Sequence, residues 1–163
     1  MRRVIIVRHA KSVPYGYDND FQRDLTDRGI SDAEKISTTL KDEGIIPDLV
    51  IASPARRTMH TANIYCKNLG IDVASIRQET SFYDSATTQD FIEVLQKLPD
   101  EVQTVCVFGH NPAVYYWVSN LVKYFNGDMP TCSTVAIDFA VDKWSEVAAR
   151  AGKKAFQYVP KEM

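Results

Sequence analysis

The sequence has no apolar stretch approaching the ~20 residues that a membrane-spanning helix needs. Two arginines stand near its start, but only four apolar residues follow, residues 4–7, before Arg8 ends the run. A secretion signal carries a longer apolar segment, so this start predicts a β-strand. These absences lead us to expect a protein without a membrane partner.

The sequence also lacks a large excess of charge of either sign. Its 19 lysines and arginines and 21 aspartates and glutamates leave a net charge of −2 and a pI of about 5.9. Proteins that bind nucleic acids through phosphate contacts usually present a broad basic face. We therefore expect no nucleic-acid partner, and any binding site for an anion must be local.

Cysteine is scarce, and glycine and proline are not enriched. Cys66, Cys106 and Cys132 are far apart in apolar surroundings, which favours reduced, buried thiols and a cytoplasmic protein over disulfides or a zinc knuckle. Seven glycines and seven prolines in 163 residues indicate neither disorder nor a fibrous repeat. Residues 1–163 have the length of one domain, and we expect a single one.

Three short apolar runs lack the polar alternation of half-exposed strands, which indicates strands buried on both faces. They are residues 4–7, 49–52 and 104–108. Segments with helical spacing separate them, so we expect helices on both faces of a parallel sheet. The apolar positions of these helices are Ile30, Ala33, Ile36 and Leu40, then Ala55, Met59, Ala62, Cys66 and Leu69, then Phe91, Leu95 and Leu98.

The last third of the chain predicts one more helix and two more strands. An amphipathic pattern from Val114 to Phe125 indicates a helix that residues 126–128, Asn-Gly-Asp, would end. Residues 134–141 and 156–159 are typical of strands, and the segment around Trp144 that joins them is compatible with a helix. We predict an α/β fold, a three-layer α/β/α sandwich whose mostly parallel central sheet ends in antiparallel C-terminal strands.

Cationic side chains follow all three buried runs. The segments are Arg8-His9-Ala10-Lys11-Ser12, Ser53-Pro54-Ala55-Arg56-Arg57 and Gly109-His110-Asn111-Pro112. Ligands of open α/β sheets bind in the crevice beyond the carboxyl ends of the strands. We therefore expect these three segments to meet in one site.

The residue types of these segments suit a phosphate group. Ser53-Pro54 and Asn111-Pro112 each pair a capping side chain with a proline, the pattern of a helix start with free backbone N–H groups. Guanidinium groups bind phosphate through paired hydrogen bonds, and helix N-termini bind anions. We expect inorganic phosphate or sulfate to occupy this pocket.

A zinc site is the alternative, because the chain has three histidines, His9, His60 and His110. A guanidinium group repels a metal ion and cannot ligate it. The arginines Arg8 and Arg57 therefore favour an anion over a metal.

His9 is the candidate nucleophile of this pocket. Nucleophilic attack requires a neutral imidazole, and neighbouring positive charges favour the neutral form. The arginines would bind phosphoryl oxygens and also keep His9 unprotonated, while His110 would donate to a phosphoryl oxygen in the transition state. This chemistry predicts a phosphohistidine intermediate that water hydrolyses.

Four blocks together resemble the histidine phosphatase superfamily, also called phosphoglycerate mutase-like, and its short SixA-type phosphohistidine phosphatase branch. The blocks are Arg8-His9, residues 23–29 (Arg-Asp-Leu-Thr-Asp-Arg-Gly), residues 53–62 (Ser-Pro-Ala-Arg-Arg-Thr-Met-His-Thr-Ala) and residues 109–112 (Gly-His-Asn-Pro). The resemblance spans nearly the whole chain and implies the phosphoglycerate mutase-like fold. It also implies an enzyme that needs no metal and no cofactor.

The resemblance assigns a role to each matching residue. The implied nucleophile is His9, and the rest of the phosphate pocket is Arg8, Arg57 and His110. Arg57 stands at the family's position, four residues after Ser53, although its neighbour Arg56 offers a competing assignment. Secondary contacts to phosphate are implied for Arg23 and proposed for Ser12.

Two residues depart from the family pattern near these blocks. Ala10 replaces the usual glycine after the nucleophile, which adds one methyl group and should change the loop only slightly. His60 replaces the usual glutamine before Thr61, and we expect it to pack on its helix and not to join the pocket.

The third departure is the short region that supplies an acid in larger relatives. Glu79 and Asp84 are the candidate proton donors here. A phosphohistidine releases an imidazole of pKa ~6.5, which leaves far more easily than the alkoxide of a sugar phosphate. A site with a weak proton donor therefore suits a phosphoramidate substrate.

We expect a phosphatase that acts on phosphohistidine, carried by a protein domain. A phosphomonoesterase for sugar or nucleotide phosphates would use the same residues. A non-catalytic module that binds phosphate or phosphoproteins would need only the arginines.

Overall fold

A six-stranded sheet lies at the centre of the computed structural model, which describes residues 1–14 and 19–163. Its strands are β1 (Arg2–Arg8), β2 (Leu49–Ala52), β3 (Arg77–Gln78), β4 (Thr104–Gly109), β5 (Thr134–Phe139) and β6 (Lys153–Tyr158). The strand order is β3-β2-β4-β1-β5-β6. The four strands β1, β2, β3 and β4 are parallel to one another, whereas β5 pairs antiparallel with both β1 and β6. The predicted α/β class and the mixed sheet are confirmed.

Four α-helices connect the strands in the described part of the chain. They are α1 (Asp27–Asp42), α2 (Arg56–Leu69), α3 (Thr88–Gln96) and α4 (Ala113–Leu121). The Thr26 side chain caps α1 by accepting a hydrogen bond from the amide of Gly29, and α2 ends at Gly70 in the left-handed conformation. None of the helices among the described residues is long and apolar enough to cross a membrane.

Two separate hydrophobic cores show the three layers. Val4 and Ile6 of β1 point to the core that contains α3 and α4, while Ile5 and Val7 point to the core that contains α1 and α2. Both faces of the sheet are therefore buried, which explains why β1 has an uninterrupted apolar sequence. The predicted three-layer sandwich is confirmed.

Gly29 of α1 fixes the loop that follows β1. A Cβ atom at this position would lie 2.1 Å from the carbonyl oxygen of Lys11, so only glycine allows this approach. The same carbonyl accepts a hydrogen bond from the amide of Thr26 at 2.9 Å. The start of α1 thus sets the path of the chain immediately after the predicted nucleophile.

The structure corrects the predicted boundaries in the last third of the chain. α4 ends at Leu121 and does not reach Phe125, because Val122 forms a parallel bridge with Gly152. β5 ends at Phe139, and β6 begins at Lys153. The exposed start of β6 lacks an apolar pattern, and its position is set by pairing with β5. The segment at Trp144 is a short 3-10 turn, Trp144–Glu146, as the pattern allowed.

The two predicted helix starts are also corrected. α2 begins at Arg56 and α4 at Ala113, later than the prolines predicted for their first positions. Neither Ser53 nor Asn111 caps a helix: the Ser53 hydroxyl contacts His110, and the Asn111 amide donates to the Met129 carbonyl. Their side chains instead join the segments around the crevice.

Candidate active site

Neighbouring strands bring the two histidines together. Arg8 at the end of β1 pairs in register with Gly109 at the end of β4, and the amide of His9 donates to the Gly109 carbonyl at 3.1 Å. His110 follows directly, so the ring centroids of His9 and His110 lie 5.3 Å apart. Parallel pairing of two buried strands therefore creates the centre of the site.

A polar cavity of about 280 Å³ opens at this edge of the sheet. It is lined by Arg8, His9, Lys11, Ser12, Val13, Pro14, Arg23, Arg57, His110, Asn111 and Thr131. Four of these side chains are cationic, and no carboxylate is among the described lining residues. The cavity has the size and the charge to receive a small anion.

The ring of His9 is held in one tautomer. Its Nδ1 atom lies 2.8 Å from the carbonyl oxygen of Ala10, and its side chain is buried. Burial is the main cause that lowers the pKa of His9 to about 3; His110, Arg57 and Arg8 also lower it, and the hydrogen bond to Ala10 opposes them. A neutral ring next to a carbonyl carries its proton on Nδ1, which leaves the lone pair on Nε2.

Ala10 is fully buried in this arrangement. Its amide donates to the Thr61 hydroxyl at 3.0 Å, and its carbonyl accepts from His9. The extra methyl group is accommodated within the core between α1 and α2. Ala10 therefore supplies the acceptor that orients the ring of His9.

Ser53 orients the second histidine. Its hydroxyl lies 2.8 Å from Nε2 of His110 and accepts a hydrogen bond from the amide of Ala55 at 3.3 Å. A Ser53 hydroxyl that donates to Nε2 leaves the proton of the neutral His110 ring on Nδ1. Nδ1 is buried and has no partner among the described residues, and burial lowers the pKa of His110 to about 3. Nδ1 is the ring donor that remains for a ligand.

The adjacent arginines Arg56 and Arg57 have different surroundings. Arg57 is buried and lines the cavity, and its guanidinium donates to the backbone carbonyl of Asp20 at 2.7 Å. Arg56 is exposed and forms an ion pair with Asp24 at 3.2 Å, away from the cavity lining. The structure thus brings Arg57, and not its neighbour, to the site.

Arg8, Arg23 and Ser12 complete the cavity wall. Arg8 donates from Nη1 to the Met129 carbonyl at 3.1 Å, which directs its guanidinium across the end of β1. Arg23 donates from Nη1 to the Ser12 hydroxyl at 3.2 Å and to the Val13 carbonyl at 2.8 Å. All three predicted residues therefore face the cavity that contains His9.

The segment before β5 holds the end of β1 and the His9 residue that follows it. The amide of Cys132 donates to the carbonyls of both Arg8 and His9, at 3.1 and 3.0 Å, and the Arg8 amide donates to the Ser133 carbonyl. Cys132 adopts a φ of 65°, which turns its amide towards both acceptors. The backbone of the Arg8-His9 pair is thus tied to β4 on one side and to β5 on the other.

The structure adds one residue that the sequence reasoning missed, Asp20. Its carboxylate accepts hydrogen bonds from Arg23 at 2.9 Å, from the Tyr83 hydroxyl at 2.8 Å and from Arg57 at 3.2 Å. Partial burial acts to raise the pKa of Asp20, but the hydrogen bonds from Tyr83 and Arg23 and the charge of Arg57 lower it to about 2. The only signal in the sequence is its spacing, three residues before Arg23.

Three other predicted positions lie outside the cavity lining. Glu79 accepts from the Ser81 hydroxyl at 3.1 Å and pairs with Arg77, and Asp84 is exposed. His60 does not simply pack on its helix, because its Nδ1 atom lies 2.7 Å from Asp24. Within the described residues, no group of three histidine, cysteine, aspartate or glutamate side chains is placed to hold a metal ion.

Two solved structures share this fold along almost the whole chain. One, assigned as the phosphohistidine phosphatase SixA of Agrobacterium tumefaciens, is 24% identical with a TM-score of 0.81, and 98% of each chain is covered. The other is the protein histidine phosphatase SixA complexed with tungstate, 22% identical with a TM-score of 0.85 and again 98% of each chain.

Sequence comparisons identify the family. An uncharacterized chloroplastic protein of Arabidopsis thaliana is 27% identical over 93% of this chain and 72% of its own length. The mitochondrial serine/threonine-protein phosphatase Pgam5 of Drosophila grimshawi is 36% identical over 47% of this chain, which spans 26% of that protein. The family model of the histidine phosphatase superfamily (branch 1) matches residues 4–105. With that match covering more than half of its length, the chain belongs to the histidine phosphatase superfamily.

Proposed function

We propose that this chain is a phosphohistidine phosphatase that forms a covalent phosphohistidine on Nε2 of His9. The guanidinium groups of Arg8 and Arg57 bind phosphoryl oxygens, and Nδ1 of His110 donates to another. Arg23 and Ser12 hold the rim of the cavity. Three observations support these roles. The Ala10 carbonyl orients His9, Nδ1 of His110 has no partner among the described residues, and four cationic side chains line one cavity.

In the first step, the lone pair on Nε2 of His9 attacks phosphorus, and the bond from phosphorus to the substrate nitrogen breaks. The substrate ring takes a proton from solvent on its other nitrogen, so the electrons of the broken bond leave with a neutral imidazole. The new phosphohistidine ring on His9 keeps its Nδ1 proton and is stabilised by the Ala10 carbonyl. The arginines neutralise the charge that develops on the phosphoryl oxygens.

In the second step, a water oxygen attacks the phosphorus of the intermediate. The bond to Nε2 breaks, inorganic phosphate forms, and the proton released by water goes to solvent. Nε2 regains its lone pair, because the low pKa of His9, about 3, keeps the ring neutral. The enzyme is then ready for another cycle.

The observation that carries the substrate class is the absence of a carboxylic acid among the described residues that line the cavity. Asp20 pairs with Arg23 and Arg57 without lining the cavity, and it is ionised, so it cannot donate a proton at neutral pH. An alkoxide leaving group requires such a donor, whereas an imidazole of pKa ~6.5 does not. The cavity is also open at the surface, as a phosphohistidine on a protein domain would require.

A phosphomonoesterase for small metabolites is the second candidate, since it would use the same phosphate pocket. The fold is similar to that of the mycobacterial glucosyl-3-phosphoglycerate phosphatase, with a TM-score of 0.67 and 14% identity. A module that only binds phosphate is the third candidate. The orientation of both histidines is not needed for binding alone and favours an enzyme.

The proposed partner is a protein domain phosphorylated on histidine. The three cysteines are buried and unpaired, which supports a reducing compartment such as the cytoplasm. Inorganic phosphate or sulfate is the anion expected in the cavity.

Two experiments test this function. We expect kcat/KM for a protein domain phosphorylated on histidine to exceed that for a panel of sugar and nucleotide phosphates. A preference of more than tenfold for a phosphomonoester, about 1.4 kcal/mol, would reject the substrate class. Rapid-quench labelling should trap an acid-labile, base-stable adduct that is absent in His9→Gln. A chain that binds phosphate but forms no adduct would overturn the proposal that it is an enzyme.

A further inference from the structure

The Asp20 carboxylate connects three separate parts of the chain. Arg57 comes from the first turn of α2, Tyr83 from the segment after β3, and Arg23 from the loop before α1. All three donate to this one side chain at 2.8 to 3.2 Å. The backbone carbonyl of Asp20 accepts a further bond from Arg57 at 2.7 Å. An isolated surface ion pair would not show this convergence.

The position of Asp20 relative to the cavity is specific. Two of its partners, Arg23 and Arg57, line the cavity, but Asp20 does not. The backbone carbonyl of Asp20 accepts from Nη1 of Arg57, and its carboxylate accepts from Nη2; both nitrogens form the end of the guanidinium group. Asp20 therefore fixes the terminal nitrogens of Arg57 without itself lining the cavity.

The charge balance of the cavity gives this contact a function. Arg8, Lys11, Arg23 and Arg57 would attract the phosphate product, largely a dianion at neutral pH, very strongly. Asp20 pairs with two of these cations, Arg23 and Arg57. It is ionised at neutral pH, since its pKa is about 2. A fixed negative charge that pairs with the arginines weakens their attraction for an anion in the cavity.

We propose that Asp20 is a positioning residue of the phosphate pocket: it aligns Arg57 and Arg23, and its charge limits the affinity for the phosphate product. This inference rests on the proposed phosphatase function in one respect: a limited affinity for phosphate benefits turnover only if phosphate is the product. The affinity for inorganic phosphate depends on the pocket alone. The two effects of Asp20, alignment and charge, can be separated by substitution.

The test is the dissociation constant of inorganic phosphate, measured by isothermal titration calorimetry on the purified chain. In Asp20→Asn the amide oxygen still accepts a hydrogen bond from the arginines, but the charge is lost. We expect this variant to bind phosphate about threefold to tenfold more tightly than the wild type. Turnover of the histidine-phosphorylated domain should become more sensitive to added phosphate by the same factor.

Matched variants separate charge from structure. Tyr83→Phe removes one hydrogen bond and keeps the Asp20 charge, so phosphate affinity should stay within twofold. Asp42→Asn removes an exposed carboxylate at the end of α1 and should leave phosphate affinity unchanged. Asp20→Ser serves as the second charge-removing variant if Asp20→Asn does not fold.

Unchanged or weaker phosphate binding in the folded charge-removing variant would overturn the inference, and so would a wild type that binds no phosphate. Tighter phosphate binding in a chain that hydrolyses no phosphohistidine would support the inference and reject the proposed substrate. Normal hydrolysis of phosphohistidine by the wild type, together with unaltered phosphate affinity in the charge-removing variant, would support the proposed substrate and overturn the inference.

Discussion

The Nδ1 atom of His9 lies 2.8 Å from the carbonyl oxygen of Ala10, the next residue in the chain. This contact needs no partner from elsewhere in the fold, because the backbone turn after β1 supplies the acceptor. It places the proton on Nδ1 and the lone pair on Nε2. A methyl group at position 10 is therefore compatible with this contact, since the carbonyl group of the residue is the acceptor.

Nuclear magnetic resonance of the imidazole nitrogens can test this tautomer. Because burial lowers the pKa of His9 to about 3, we expect its ring to stay neutral from pH 8 to pH 5, with the hydrogen on Nδ1. The signals are assigned by comparison with His9→Gln. A titration midpoint between pH 6 and 7 for His9 would contradict the geometry.

The adjacent arginines provide a matched pair of substitutions. Arg57→Ala should lower kcat/KM about 100-fold or more, because a cavity-lining guanidinium that stabilises phosphoryl charge is lost. Arg56→Ala should change kcat/KM by less than about threefold, since the exposed ion pair with Asp24 contributes at most ~1 kcal/mol to stability. Equal losses in both variants would show that Arg57 has no special role.

Ser53→Ala tests the contact that orients His110. The substitution leaves the buried Nε2 of His110 without its partner at 2.8 Å, so we expect the free energy of unfolding to fall by about 1–3 kcal/mol. It should also lower kcat, because the ring donor is no longer fixed on Nδ1. Urea denaturation and steady-state kinetics measure the two effects, and Ser81→Ala is the control for a half-buried serine outside the cavity. A fall in stability without a change in kcat would separate His110 from catalysis.

Stability should depend on pH through the buried histidines. The pKa of His9 and of His110 is about 3 in the folded chain, and about 6.5 is expected in the unfolded chain. Between these values the unfolded chain binds more protons, so the free energy of unfolding rises with pH and levels off above pH 6.5. We expect a loss of about 1 kcal/mol or more between pH 7 and 5.5 in urea titrations. His9→Gln should show a smaller loss, and an equal loss would argue against a neutral buried ring.

The two predicted proton donors can be tested directly. Neither the Glu79 nor the Asp84 carboxylate lines the cavity, so Glu79→Gln and Asp84→Asn should keep phosphohistidine hydrolysis within about threefold of the wild type. Initial rates with the histidine-phosphorylated domain measure this. A tenfold loss in either variant would identify that carboxyl group as the acid.

The sequence predicted those parts of the fold whose pattern is local. The buried runs of β1, β2 and β4 and the helices between them could be read from periodicity, since both faces of each of these strands are covered. The start of β6 could not, because Lys153 and Lys154 have no apolar pattern and are placed by pairing with β5. Long-range pairing also ended α4 earlier than its apolar spacing suggested.

The candidate site shows the same division. The residues at the ends of β1 and β4 could be predicted, because strand ends converge in a parallel sheet. Asp20 could not, since its contact with Arg57 spans 37 residues and its spacing to Arg23 alone does not indicate a contact with the cavity arginines. The hydroxyl of Ser53 was expected to cap a helix, but His110 on the neighbouring strand provides a closer partner.

The hydrogen bonds from Cys132 to the carbonyls of Arg8 and His9 have a consequence for synthesis of the chain. His9 leaves the ribosome before His110, the Met129 carbonyl that directs Arg8 and the Cys132 amide, because all three follow it in the chain. Domains generally fold as units during synthesis. In the nascent chain the Arg8-His9 pair therefore lacks these contacts until the segment up to β5 has been made, and the cavity is complete only when β5 pairs with β1.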